Sequence, residues 1–220
     1  MARKPTQQQV IDDLLNRYDP IIAQAFRQAV EDVRGSADLQ RLIAALAAGD
    51  LNAALNALNL EAAAYGPLSE AIRQAYGEAG TASAAIANGQ TPAGVVIRFN
   101  IRNPRAETWL RDHSSQAVTR IVEDQRNAIR AALQAGMERG VNPRTAALDI
   151  VGRVNRATGK REGGIIGLTS TQEAAARAAR DELASGDAAL LRNYLTRERR
   201  DRRYDRSVMA AIRDEKPVPA

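Results

Sequence analysis

The chain contains no cysteine. That excludes a disulfide frame and any thiolate metal site. Aromatic residues make up only 4% of it, and there is a single histidine, His113. One imidazole without a thiol is a poor start for a metal centre, and adjacency to Asp112 and Ser114 does not orient those side chains toward it as a triad requires. His113 therefore reads as an ordinary helix-surface or hydrogen-bonded histidine. No apolar run approaches the roughly 20 residues of a membrane span, and the opening MARKPTQQQV lacks the apolar stretch of a secretion signal. With aromatics scarce and alanine at many core positions, each helix buries little apolar area at roughly 25 cal/mol per Å². Stability is expected to lean on partners as well as on the core.

Charge is present but uneven. Residues 1–110 hold 10 basic and 11 acidic residues, and residues 111–220 hold 21 and 15, within an overall charge of +5. Of the 31 basic residues, 28 are arginine. The planar guanidinium suits bidentate pairing with carboxylate or phosphate, although GC-rich coding enriches arginine and alanine equally well.

Capping signals and apolar spacing predict a mainly α, multi-helix protein with one short β-strand or hairpin and a Gly-rich loop. Thr6 with Gln9 opens a first helix, and Asp19-Pro20 restarts it. Ile21, Ile22, Ala25, Phe26, Ala29, Val30 and Val33 then follow the 3-4-7 spacing of a buried stripe. Helices are expected near 6–34, 37–59, 67–79, 104–136, 143–155, 170–185 and 205–214. Asp50, Asn103-Pro104 and Asn142-Pro143 supply starts, Ser170 with Glu173 fits a capping box, and Ser185-Gly186 supplies a stop. Val95, Ile97, Phe99 and Ile101 alternate with other residues, which predicts a strand over 95–101. Its internal partner is not evident beyond Ile165-Ile166 or a neighbouring chain. The small and polar residues of 80–93 read as a linker. The organisation expected is a helical module at 1–79, a linker and strand at 80–103, and a helical domain at 104–220 ending in an arginine-rich segment. Segments 80–103 and 156–168 are expected to stay mobile until a partner orders them.

No catalytic constellation emerges, so neither an enzyme nor a cofactor is expected. The carboxylate pairs Asp12-Asp13, Glu123-Asp124, Asp181-Glu182 and Asp214-Glu215 are adjacent in sequence, and adjacent helical residues diverge by about 100°, so they do not converge on one cation. Gly159-Lys160 looks like the end of a phosphate loop, but Val154 and Arg161 occupy the positions that need glycine and Ser or Thr. The basic, glycine-rich loop 157–167 still has amides and the cations Lys160 and Arg161 to offer phosphate or a partner.

The most informative stretch is RERRDRRYDR at 197–206. As a continuous helix it would gather Arg199, Arg200, Arg202, Arg203 and Arg206 on one broad side and Glu198, Asp201 and Asp205 on the other. Segregated signs point to a surface that meets something anionic, either DNA phosphate or an acidic protein patch, with a solvated surface as the plain reading. Six arginines against three acids leave the block at +3, low for a dedicated DNA binder. Tyr204 is its only aromatic, which argues against base stacking there. The candidate contact residues are thus Lys160, Arg161, Arg197, Arg199, Arg200, Arg202, Arg203 and Arg206.

The run GGIIGLTSTQ, then ELASGD, then RERRDRRYDRSVMAAIRDEKP resembles the minor head proteins of tailed phages, the head-morphogenesis proteins of the Mu F type. The resemblance continues upstream in RNPRAETWLRDHSSQAVTRIVEDQRNAIRAAL, NPRTAALDIVGRVN and LIAALAAGDLNAALNALNL. It implies a virion protein of the capsid interior near the portal, assembled in the host cytoplasm. It also implies several copies around the portal, the portal protein and the major capsid protein as partners, and a part in packaging or ejection of the DNA. Family members continue into a further helix carrying Ile-Ala-Arg-Thr-Glu, which these 220 residues do not contain; what that part does does not carry over. The alternative is an Arg-rich, sequence-independent DNA-binding architectural protein.

Overall fold

A computed structural model describes residues 5–92, 94–214 and 216–218. The chain is mainly α, as the periodicity implies. Nine α-helices are found among the described residues: α1 Gln7–Ser36, α2 Leu39–Ala47, α3 Leu51–Asn56, α4 Gly66–Asn88, α5 Pro104–Glu138, α6 Pro143–Val151, α7 Ser170–Ala184, α8 Ala188–Thr196 and α9 Asp205–Asp214. Strands β1 Arg153–Val154 and β2 Arg161–Glu162 form a two-stranded antiparallel hairpin, Arg153 opposite Glu162. The chain divides into two compact units, residues 1–167 and 168–220.

Helix starts follow local chemistry. Thr6 and Gln9 make the reciprocal capping box of α1, Asp38 caps α2, Asp50 caps α3, and Asn103 and Asn142 cap the Pro-led α5 and α6. Two starts differ from expectation. Helix α1 runs through Pro20 without a restart. The box of α7 is Thr169 with Gln172, one residue ahead of Ser170 and Glu173; Thr169 keeps the extended backbone a cap requires.

The first unit is built around the second half of α1. Val30 and Val33 pack with Leu42 and Leu46 of α2, Leu55 of α3, Leu58 and Leu60, Ile129 and Leu133 of α5, and Ala147, Ile150 and Val151 of α6. Tyr65, Ala29, Leu68 and Val118 form a smaller cluster.

The expected strand at 95–101 is not a strand. It lies as an irregular segment along α4, and α4 itself continues to Asn88, past its expected end at 79 and through Gly77 and Gly80. Those glycines are the reason. A Cβ at Gly80 would stand 2.5 Å from Cδ1 of Phe99, and one at Gly77 would stand 3.1 Å from Cδ1 of Ile101. They clear a track for the segment rather than break the helix. At Ile97 the segment's backbone finds a side chain: the Asn88 amide accepts from the Ile97 N–H at 2.6 Å and donates to the Ile97 carbonyl at 2.7 Å. The linker expected at 80–93 is thus largely helix, with Ala93 outside the described residues, and the domain boundary falls at 167/168 rather than near 80.

The Gly-rich loop is likewise packed. Gly152 ends α6 at φ +82°, and Gly163, Gly164 and Gly167 also have positive φ. A Cβ at Gly164 would meet the Ile150 carbonyl and the Gly152 amide at 2.5 Å. This close approach lets the Ile165 N–H donate to the Ile150 carbonyl at 2.9 Å and buries Ile166 completely. Ile165-Ile166 therefore caps α6 and does not pair with 95–101, and the hairpin uses Arg153–Val154 and Arg161–Glu162 instead.

In the second unit, Leu191 and Tyr194 of α8 pack with Val208 and Ala211 of α9, against Ala179 and Leu183 of α7. Helix α8 was not among the expected helices; Asp187 caps it by accepting from the Ala189 and Leu190 amides.

Candidate functional site

The residues expected to meet phosphate or a partner divide between the two units. Lys160 and Arg161 belong to the first. Lys160 sits in the β1–β2 loop, and its Nζ donates to the Glu31 carboxylate at 2.9 Å, which raises the lysine pKa above its ordinary value. Arg161 turns back on its own hairpin, donating to the Gly152 carbonyl at 3.1 Å. Asn155 and Thr158 both donate to Glu162, closing the loop on itself. A groove of about 430 Å³ lies beside it, lined by Glu31 and Asp32 as well as Arg34, Lys160 and Arg161. With acids and bases interleaved, it is a poor cradle for an anion.

The arginine block lies in the second unit and is not the continuous helix that segregates its charges. Helix α8 ends at Thr196, residues 198–199 turn, residues 202–204 form a single 3-10 turn, and α9 begins at Asp205. Tyr194 and Asp201 explain the break. The Tyr194 hydroxyl donates to the Asp201 carbonyl at 3.1 Å, and the Asp201 carboxylate accepts from the Arg203 N–H at 3.0 Å. A buried ring is thus anchored to the turn.

Three of the arginines are committed within the unit. Arg197 donates to buried Glu182 through Nε at 2.6 Å and Nη2 at 2.8 Å, and Asn193 donates to the same carboxylate. Arg200 grips Asp205 with two bonds at 2.9 Å and also donates to the Arg197 carbonyl at 3.2 Å. Arg203 clasps Asp201 at 2.6 to 3.0 Å. The effects on the acids follow. Arg197 holds the Glu182 carboxyl below its ordinary pKa against the opposing effect of burial, Arg200 lowers Asp205, and Arg203 lowers Asp201. Such two-pronged pairs orient as well as attract.

Arg199, Arg202 and Arg206 are exposed and form no ion pair with the described residues. They stand respectively in a turn, in the 3-10 segment and in the first turn of α9. The free cationic surface of the block is thus half of what the sequence suggests, and it is distributed over three backbone elements.

A cluster elsewhere escaped the sequence reading. In the first unit, ring contacts run from Phe99 to Tyr76 to Trp109 to His113. Phe99 and Tyr76 meet edge to face with centroids 5.6 Å apart, while Tyr76–Trp109 and Trp109–His113 are stacked at 4.8 and 4.0 Å, with planes 18° and 20° apart. His113 Nδ1 lies 2.7 Å from the Trp109 carbonyl. A carbonyl only accepts, so Nδ1 carries the proton in that bond and Nε2 is left for another partner. The i,i+4 spacing of Trp109 and His113 on α5 was readable in sequence. The approach of Tyr76 and Phe99 depends on how 95–101 crosses α4 and was not.

Among the described residues, no group of His, Asp and Glu could hold a metal ion, and no helix is long and apolar enough to cross a membrane. No family model matches the chain, no curated protein matches it, and no solved structure matches it.

Proposed function

We propose that this chain is a structural minor head component of a tailed phage. In this reading it works in the capsid interior beside the portal, in several copies, after assembly in the host cytoplasm, with the portal protein and the major capsid protein as partners. One observation carries the reading: the ordered run of motifs from LIAALAAGDLNAALNALNL through GGIIGLTSTQ and ELASGD to RERRDRRYDRSVMAAIRDEKP. The role is assembly rather than catalysis. The internal pairing of Arg197, Arg200 and Arg203 supports assembly over a dedicated DNA-binding role, because a phosphate binder keeps its guanidiniums for the ligand. Quantitative mass spectrometry of purified particles, with a portal pull-down from an assembling lysate, tests the proposal. The chain should appear at a few copies per particle and co-purify with portal. Its absence from particles that package DNA would refute the reading.

The alternative, an architectural DNA-binding protein, draws on Arg199, Arg202 and Arg206, which are exposed and form no ion pair with the described residues. Contact with packaged DNA through these three is compatible with the head role.

A further inference from the structure

We propose that this chain associates head to tail, with helix α9 of one copy lying in the groove between α1 and α4 of another. The groove begins as a stripe that outruns its cover. In the second half of α1 the stripe closes on the core, where Ala29 and Val33 are fully buried. In the first half the same helical period continues through Ile11, Leu15, Tyr18 and Ile22. Yet none of residues 5–28 is buried, and Ile11 is 41% and Leu15 53% exposed. These side chains line a mostly apolar groove of about 290 Å³ whose other wall is α4, where Ala75, Ala79 and Ala82 leave the room.

Charge decides what fits there. Asp12 and Asp19 stand three residues before and four residues after Leu15, so the three share one side of α1. Both carboxylates are exposed and form no ion pair with the described residues; Asp12 accepts from the neutral Gln8 amide. Arg17 is the one basic residue of 7–22, and it pairs with Glu78 of α4 at 3.6 Å. The occupant must therefore be apolar at its centre and cationic on either side. Two such grooves face to face would set carboxylate against carboxylate, and the same acids repel nucleic acid.

Helix α9 carries the complementary pattern. Arg206, Met209 and Arg213 repeat the spacing of three and then four residues. All three are exposed, Met209 to 62%, whereas Val208 and Ala211 of the same helix pack into the core of the second unit. Arg206 forms no ion pair with the described residues. Arg213 holds Asp214 in an exposed pair, the kind that contributes little and exchanges readily. On each helix the two outer charges are seven residues apart, about 10.5 Å at a rise of about 1.5 Å per residue. With the helices parallel, Arg206 and Arg213 meet Asp12 and Asp19 together as Met209 enters beside Leu15. An unbranched thioether suits an irregular groove, and the arginine stems cover its apolar edges. Because α9 and the groove are different surfaces, each contact leaves one of each free, so association continues into a ring or a chain of copies.

The inference does not rest on the head reading, and the purified full chain tests it without portal or particle. Sedimentation at low salt should give an average mass that rises with concentration. The mass should fall back toward that of the monomer at about 1 M salt, where charges are screened within about 3 Å. This arm needs no variant. Asp12→Arg with Asp19→Arg should leave a monomer, and so should Arg206→Asp with Arg213→Asp. Mixing these two variants should restore association, as should all four substitutions in one chain. Met209→Ser should weaken association about tenfold, the loss of one buried thioether side chain. All the substituted residues are exposed, and circular dichroism checks that each variant keeps its helices. A wild-type chain that stays monomeric at every concentration would overturn the proposal. So would association that is indifferent to salt, or that survives either charge reversal and thus uses another surface. Failure of both the mixture and the fourfold variant to associate would overturn it as well.

Discussion

The Glu182–Arg197 pair offers the sharpest test of how the second unit is held together. Glu182 of α7 is 6% exposed, and its two oxygens receive two bonds from Arg197 and one from Asn193. Replacing Arg197 by Met keeps the aliphatic stem but strands the carboxylate with Asn193 alone. Breaking a fully buried pair from one side costs about 3–5 kcal/mol. The Arg197 side chain remains 27% exposed, so about 2–3 kcal/mol is the appropriate figure here. Residues 168–220 as an independent unit should hold about 3–8 kcal/mol in total, at roughly 0.05–0.15 kcal/mol per residue. The substitution therefore removes a large fraction of that stability. Urea denaturation followed by limited proteolysis should show residues 168–220 opening first, at a lower midpoint, with residues 5–167 unaffected. Glu182→Gln keeps the shape and loses the charge, and should cost less, about 1–2 kcal/mol. The double variant should lose less than the sum of the two. Additive losses, or a midpoint shift for Arg197→Met worth less than about 0.5 kcal/mol, would refute the view of this pair as the unit's internal clamp.

The same pair sets a pH dependence. The folded Glu182 carboxyl is lowered by Arg197, so its stabilising contribution is full above the ordinary glutamate range and is lost as pH falls through the lowered folded value; acid should open residues 168–220, and Glu182→Gln should remove that part of the dependence. Asn88→Ala deletes both bonds to Ile97 and should free the crossing segment at a cost of about 1 kcal/mol, with the Ile97 amide exchanging roughly fivefold faster by hydrogen exchange; unchanged exchange would mean Phe99 and Ile101 alone hold the track. Gly152→Ala would place a Cβ 2.5 Å from the Glu162 carbonyl at φ +82° and should lower the unfolding midpoint by the equivalent of about 2 kcal/mol or more, whereas Gly159→Ala, which meets nothing within 4 Å, should cost about 1 kcal/mol from its positive φ alone. If the arginine block contacts DNA, replacing Arg199, Arg202 and Arg206 by Ala should flatten the salt slope of duplex binding, while replacing Arg200 and Arg203 should loosen the second unit instead; the reverse pattern would mean those pairs open on binding.

Sequence alone determined the elements whose causes are local. Thr6 with Gln9, Asp50, Asn103-Pro104 and Asn142-Pro143 each satisfy amides within one turn, so the helix starts were legible. So was the stripe ending in Ala29, Val30 and Val33, because its period is that of the helix itself. Even the boundary of α9 at Asp205–Asp214 could be read from pattern. Tertiary structure decided whatever depends on a distant group. The alternation at 95–101 is real, but the Ile97 backbone is met by the Asn88 side chain, and Phe99 and Ile101 by a glycine track on α4, neither of which a period of two can reveal. The glycines of 152–167 read as freedom, yet their positive φ is used to press a loop against the end of α6. The arginines of 197–206 read as one charged face because a helical wheel assumes an unbroken helix. Tyr194 and Asp201 break it, and half of the guanidiniums pair with carboxylates that composition counts but cannot position. The ladder of Tyr76, Phe99, Trp109 and His113 joins residues up to 37 positions apart, and the packing of α4 on α5, with the crossing of 95–101 over α4, brings them together.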